Sequence, residues 1–79
     1  MNKVRIKISG LYDITRFVEQ ASKVGGTGVI VSNGRMIIDG SSLMGMMSLD
    51  TSKGIMVEYP SSAEEFHNFI QEFVDFNYA

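Results

Sequence analysis

Asn33-Gly34 sits between two runs of strand-forming residues, and no other dipeptide constrains this chain so tightly. Val29-Ile30-Val31 precedes it and Arg35-Met36-Ile37-Ile38 follows. A type I′ turn needs positive φ at both central residues, and Asn-Gly supplies both, so the segment predicts an antiparallel hairpin. Two more strands are readable by alternation. From Lys3 to Ile8, Val4, Ile6 and Ile8 fall on one face and Lys3, Arg5 and Lys7 on the other. From Ile55 to Tyr59, Ile55, Val57 and Tyr59 share a face, and Pro60 stops the strand.

Helical periodicity fills the gaps. Ile14, Phe17, Val18, Ala21 and Val24 recur at helix spacing, which predicts a helix over 14–24. Asp13 is the expected N-cap, with Tyr12 and Phe17 as a hydrophobic staple across it. Gly25-Gly26 ends the helix. Asp39-Gly40 marks a turn, and a short helix follows over 43–49, capped by Ser41 or Ser42. Thr51 to Gly54 leads out of it. Ser62 and Glu65 have the spacing of a capping box for a last helix reaching about Asn77, with Phe66, Phe69, Ile70 and Phe73 as its apolar stripe. The order is βαββαβα. Strands with one apolar face and helices with one apolar stripe pack most economically as two layers, so the expected class is α+β, with helices on one face of a four-stranded antiparallel sheet.

Composition narrows the function. The chain has 79 residues, 44% hydrophobic and 20% charged, which suits one small globular domain spanning 1–79. With no cysteine and one histidine, it has no disulfide and poor material for a metal site; no metal and no cofactor are expected. A net charge of −2 gives no general attraction to nucleic acid or to an anionic membrane. No apolar run approaches the ~20 residues of a membrane span, and Met1 to Lys7 alternates charge rather than forming a signal-peptide core. The expected location is the cytoplasm. Gly25-Gly26-Thr27-Gly28 precedes a strand with no lysine-serine helix start after it, so turn chemistry explains these glycines better than nucleotide binding.

The segment Ser41-Ser42-Leu43-Met44-Gly45-Met46-Met47-Ser48, followed by a loop and Lys53-Gly54, resembles the second helix of HPr. HPr is the histidine-containing phosphocarrier of the bacterial sugar phosphotransferase system. The resemblance covers nearly the whole chain and implies the HPr-like open-faced two-layer sandwich. In that family the fourth strand lies beside the first, which would let Glu58 face Lys3, Arg5 or Lys7. Such an exposed pair would contribute about 1 kcal/mol or less.

The family's phosphoryl-accepting histidine follows the first strand, where this chain reads Ser9-Gly10-Leu11-Tyr12-Asp13-Ile14-Thr15-Arg16. No histidine is there. Matching Ser9-Gly10 to the family's turn puts Tyr12 in the histidine's place; matching from Ala21-Ser22-Lys23 also brings nothing reactive. The two anchors differ by a couple of residues, so the loop is shortened and Arg16 is not carried over as the active-site arginine. Tyrosine titrates near ~10 and is a weak nucleophile without an adjacent base. An aspartyl phosphate generally needs a metal held by clustered carboxylates, which Asp13 lacks. Cap and staple roles suit these two residues better. His67 follows Phe66 in the last helix, about 100° off the apolar stripe, as an ordinary surface histidine would.

Ser42 matches the family's regulatory serine, which a dedicated kinase phosphorylates in many Gram-positive bacteria; helix capping is its plain alternative. Leu43, Met44 and Met47 match HPr's small exposed apolar patch. Methionine suits a surface that accepts several partners, although Leu43 and Met46 also suit a core. Tyr12 and Arg16, at the neighbouring helix start, would complete the surface. The resemblance thus implies a non-enzymatic regulatory or partner-binding module without the phosphoryl acceptor. Its partners would be proteins of the phosphotransferase or carbon-regulation system: an enzyme I-like protein, a serine kinase or a transcription regulator. The alternatives are a sugar-transport phosphocarrier with an unconventional acceptor (Tyr12, Asp13 or His67), and a self-associating structural domain.

Overall fold

A computed structural model describes residues 1–25, 28–51 and 54–74. The elements are β1 (Asn2–Ile6), α1 (Gly10–Val24), β2 (Ile30–Asn33), β3 (Met36–Asp39), α2 (Leu43–Ser48), β4 (Ile55–Tyr59) and α3 (Glu64–Ile70), followed by a 3₁₀ turn at Gln71–Phe73. All strand pairings are antiparallel, and the sheet order is β1-β4-β2-β3. The expected class and element order hold.

Alternation places the core. Val4 lies opposite Val57, Ile6 opposite Ile55 and Val31 opposite Val57, so these side chains share one face of the sheet. Phe17, Ala21, Met46, Phe66 and Ile70 come down from the helices to meet them. Phe66 packs edge-on against Phe17 and Tyr59, with ring centroids 5.6 and 5.1 Å apart. Each such pair adds about 0.5–1.5 kcal/mol beyond the area it buries. On the other face Lys3 Nζ lies 3.8 Å from Glu58 Oε1, the expected exposed pair. Where β3 turns toward α2, a β-carbon on Gly40 would lie 2.7 Å from Val29 Cγ1 and 3.2 Å from the Phe17 ring. Only glycine lets the backbone pass that close.

Four local expectations are corrected. First, α1 starts at Gly10, so Asp13 belongs to the first helical turn and is not the N-cap. Ser9 holds the cap position, without a side-chain hydrogen bond, and Gly10 enters the helix at φ 80°. Second, there is no staple: Tyr12 is 76% exposed, whereas Phe17 is fully buried. Third, the hairpin turns one residue later than the Asn-Gly rule places it. Asn33 pairs with Met36, leaving Gly34 and Arg35 at the centre. Gly34 has φ 61°, and no non-glycine residue described has positive φ, which is the pattern of a type II′ turn. Asn33 instead donates its side-chain amide to the Asp50 carbonyl at 2.8 Å.

Fourth, no capping box forms at Ser62 and Glu65. Ala63 is the N-cap of α3, and the α-helix ends at Ile70. Past the 3₁₀ turn the chain straightens. Val74 forms a bridge with Ile6, and Lys7 donates its N–H to the Phe73 carbonyl at 2.9 Å. Pairing with the outer edge of β1 thus replaces further helix. The expected helix end at Asn77, the second glycine of Gly25-Gly26, and Ser52 and Lys53 lie outside the described residues.

Candidate docking site

α2 is set by its two ends. The Ser42 side chain accepts a hydrogen bond from the Gly45 N–H at 3.1 Å, making Ser42 the N-cap. Ser41 faces back toward β3: its N–H and hydroxyl donate to Asp39 Oδ1 at 2.9 and 2.7 Å. These donors hold the Asp39 carboxyl below its ordinary value, the hydroxyl contributing most. Both serines considered for the cap are therefore used, in different roles.

Six residues give α2 fewer than two turns, so one side can face the core. Met46 takes that side and is completely buried. Leu43, Met44 and Met47 are 42%, 85% and 54% exposed, with Met47 four and three residues from the other two. All three are exposed apolar side chains, and Leu43 is not among the buried core residues.

α1 packs against α2, and its first turn carries Leu11 and Tyr12, both exposed. Leu11 was not anticipated; its exposure follows from the earlier helix start. Arg16 is heavily engaged. Its guanidinium makes two hydrogen bonds to the Glu72 carboxylate, at 2.6 and 3.4 Å, and lies 3.5 Å from Asp13. It also lies 5.5–5.6 Å from the ring centroids of Tyr12, Phe69 and Phe73. Its hydrogen bond to the Glu72 carboxylate raises the Arg16 pKa. Arg16 therefore ties α1 to the 3₁₀ turn. Glu72 is 56 residues away in sequence, and no local pattern points to it.

His67 lies elsewhere. It is exposed on α3, and its Nδ1 shares a 2.6 Å hydrogen bond with the Tyr59 hydroxyl. Burial raises the Tyr59 pKa above 10.0, against a smaller opposing effect of a hydrogen bond with Asn2. Tyr59 pairs with Asn2 at the start of β1, whereas α1 begins beyond its end. The strand separates His67 from the α1 N-terminus by roughly 13 Å or more. Among the described residues no cluster of three acidic or histidine side chains is placed to hold a metal. No helix among them is long and apolar enough to cross a membrane.

Neither a family model nor a curated protein matches the sequence. The structure does match a solved one: HPr-C-His from Thermoanaerobacter tengcongensis, with a TM-score of 0.70 and 25% identity over 91% of this chain and 93% of that one. The fold is HPr-like. That likeness matches the resemblance over nearly the whole chain, and it places α2 and the start of α1 in the framework of a phosphocarrier-like fold.

Proposed function

We propose that the chain is a non-catalytic relative of HPr that binds protein partners of the phosphotransferase or carbon-regulation system through α2. The observation that carries this reading is the exposure of Leu43, Met44 and Met47 on one side of a helix whose other side is anchored by Met46. Exposed apolar groups held in one array on a fixed element mark interaction surfaces. Flexible thioethers let such a surface fit more than one partner. Tyr12 would extend the surface from the start of α1, whereas Arg16 is held against Glu72, Phe69 and Phe73 and is not a free cation.

The acceptor chemistry points the same way. Ser9 to Arg16 contains no histidine, and Tyr12 and Asp13 have neither a neighbouring base nor a metal cluster. His67 is bonded to Tyr59 at the far end of β1. Regulation would act at Ser42. Its hydroxyl is exposed and lies beside the patch, so phosphorylation would put negative charge next to Leu43 and Met44 and alter what docks there.

Amide chemical-shift mapping with enzyme I, an HPr serine kinase and an HPr-binding transcription regulator tests this. The expected result is that at least one produces shifts confined to α2 and the first turn of α1, and that Met44→Asp with Met47→Asp removes them. Shifts centred on the open face of the sheet, or none with any of the three, would refute the reading.

A further inference from the structure

We infer that this chain pairs with a second copy of itself through β3, antiparallel, about a two-fold axis at Ile37. The inference does not depend on partner docking through α2.

The two edges of the sheet differ. At β1 the chain after α3 returns to the outer edge, with Val74 bridging Ile6. Among the described residues nothing pairs with the outer edge of β3. Hydrogen-bond parity shows which groups face outward there. The Gly40 N–H donates to the Val29 carbonyl at 2.8 Å, and Asn33 pairs with Met36 across the two-residue turn. In an antiparallel ladder the backbone groups of alternate residues point to the same neighbour, so Met36, Ile38 and Gly40 serve β2. The N–H and C=O of Ile37 therefore point away from the sheet.

A two-fold axis at Ile37 makes these groups complementary. Ile37 of each copy donates to and accepts from Ile37 of the other. In the same register Arg35, in the turn just before β3, would come near Asp39 of the second copy. Opposite charges at equal distances either side of Ile37 make β3 complementary to itself in antiparallel orientation, whereas a parallel partner would set like charges side by side. Ser41 donates to Asp39 Oδ1, so in the dimer Oδ2 is the oxygen that would accept from the second copy's Arg35.

The edge is also apolar on both sides. Of the eight large hydrophobic side chains exposed among the described residues, five belong to β3 and to α2 packed on it: Met36, Ile37, Leu43, Met44 and Met47. That concentration marks this edge rather than any other part of the surface. Ile37 is 72% exposed on the face opposite the helices, where its only cross-strand neighbour is Ser32. Pairing would cover it with the second copy's Ile37. Between Met36 and Asp39 there is no proline and no bulge, and the protection that remains is the shortness of the strand and the charge of Asp39. Confined to β3, the ladder pairs only Met36, Ile37 and Ile38 of each copy, a small interface, so the dimer should form and dissociate with concentration.

Sedimentation over a range of protein concentrations, with four variants, tests the proposal. The native chain should shift from monomer to dimer mass as concentration rises. Arg35→Glu, which sets two acidic groups opposite each other, should stay monomeric. Ile37→Pro removes an N–H that β2 does not use, and should also stay monomeric. Ile37→Cys gives a chain with a single thiol, because the native sequence has no cysteine. Paired residues of this kind have Cα atoms about 5.5 Å apart, within reach of a disulfide. It should oxidise to a linked dimer much faster than Glu65→Cys, placed on exposed α3. A native chain that stays monomeric throughout would overturn the proposal. So would a dimer that survives Arg35→Glu while Ile37→Cys links no faster than Glu65→Cys.

Discussion

α2 and α3 are helices of six and seven residues on the same side of one sheet, and they treat their apolar side chains in opposite ways. In α3, Phe66 and Ile70 are buried, and Phe66 touches the rings of both Phe17 and Tyr59. In α2 only Met46 is buried, and three apolar neighbours face solvent. Local sequence does not separate the two cases, since both helices carry apolar residues at helical spacing. The surroundings do. α3 is packed beside α1 and backed by the 3₁₀ turn and the return to β1. α2 lies at the β3 edge, with α1 on one side and nothing described on the other. Apolar spacing therefore says which side chains share a face, while the position of the helix in the layer decides whether that face is covered.

The largest expected effect lies in α3. Phe66→Ala should lower unfolding stability by about 3–5 kcal/mol in urea denaturation, since it opens a cavity between Phe17 and Tyr59. A loss near zero would mean that α3 is as loosely seated as the exposed side of α2. Next comes the start of α2. Ser42→Ala removes the acceptor for the Gly45 N–H and should cost about 1 kcal/mol by the same measurement.

A smaller, pH-dependent effect arises where β3 joins α2. Ser41 holds the folded Asp39 carboxyl below its ordinary value of 3.8. A depressed folded pKa contributes stability above the unfolded value, and that contribution fades as pH falls through the folded one. Urea midpoints should therefore decline below about pH 4 in the native chain, and decline less steeply in Asp39→Asn. Equal slopes would show that the Ser41 contacts do not matter. The smallest effect on stability is expected at Met44. Met44→Ala should change it by less than about 0.5 kcal/mol while weakening partner-induced shifts on α2. A loss comparable to Phe66→Ala would erase the distinction between the two helices.

The same distinction explains what could be read from the chain alone. Strand alternation at Lys3–Ile8 and Ile55–Tyr59 and the periodicity of α1 are local signals, and the architecture followed from them. The exposed residues of α2 were expected from the resemblance to HPr, and a helix this short cannot bury every side. Signals that depend on single residues shifted: Gly10 started α1 earlier than Asp13 suggested, and Gly34-Arg35, rather than Asn33-Gly34, made the turn. The Ser62 and Glu65 spacing produced no capping box. Long-range features were invisible. The Arg16–Glu72 pair spans most of the chain, and the exposure of Met36 and Ile37 follows from the β1-β4-β2-β3 order, which leaves β3 at an edge.

The central claim is that this scaffold docks like HPr but carries no phosphoryl group. The most direct measurement is the intact mass of the chain after incubation with enzyme I and phosphoenolpyruvate, beside an ordinary HPr in the same tube. The account predicts that HPr gains the mass of one phosphoryl group and this chain gains none. A matching gain on this chain, mapped to Tyr12, Asp13 or His67, would contradict it.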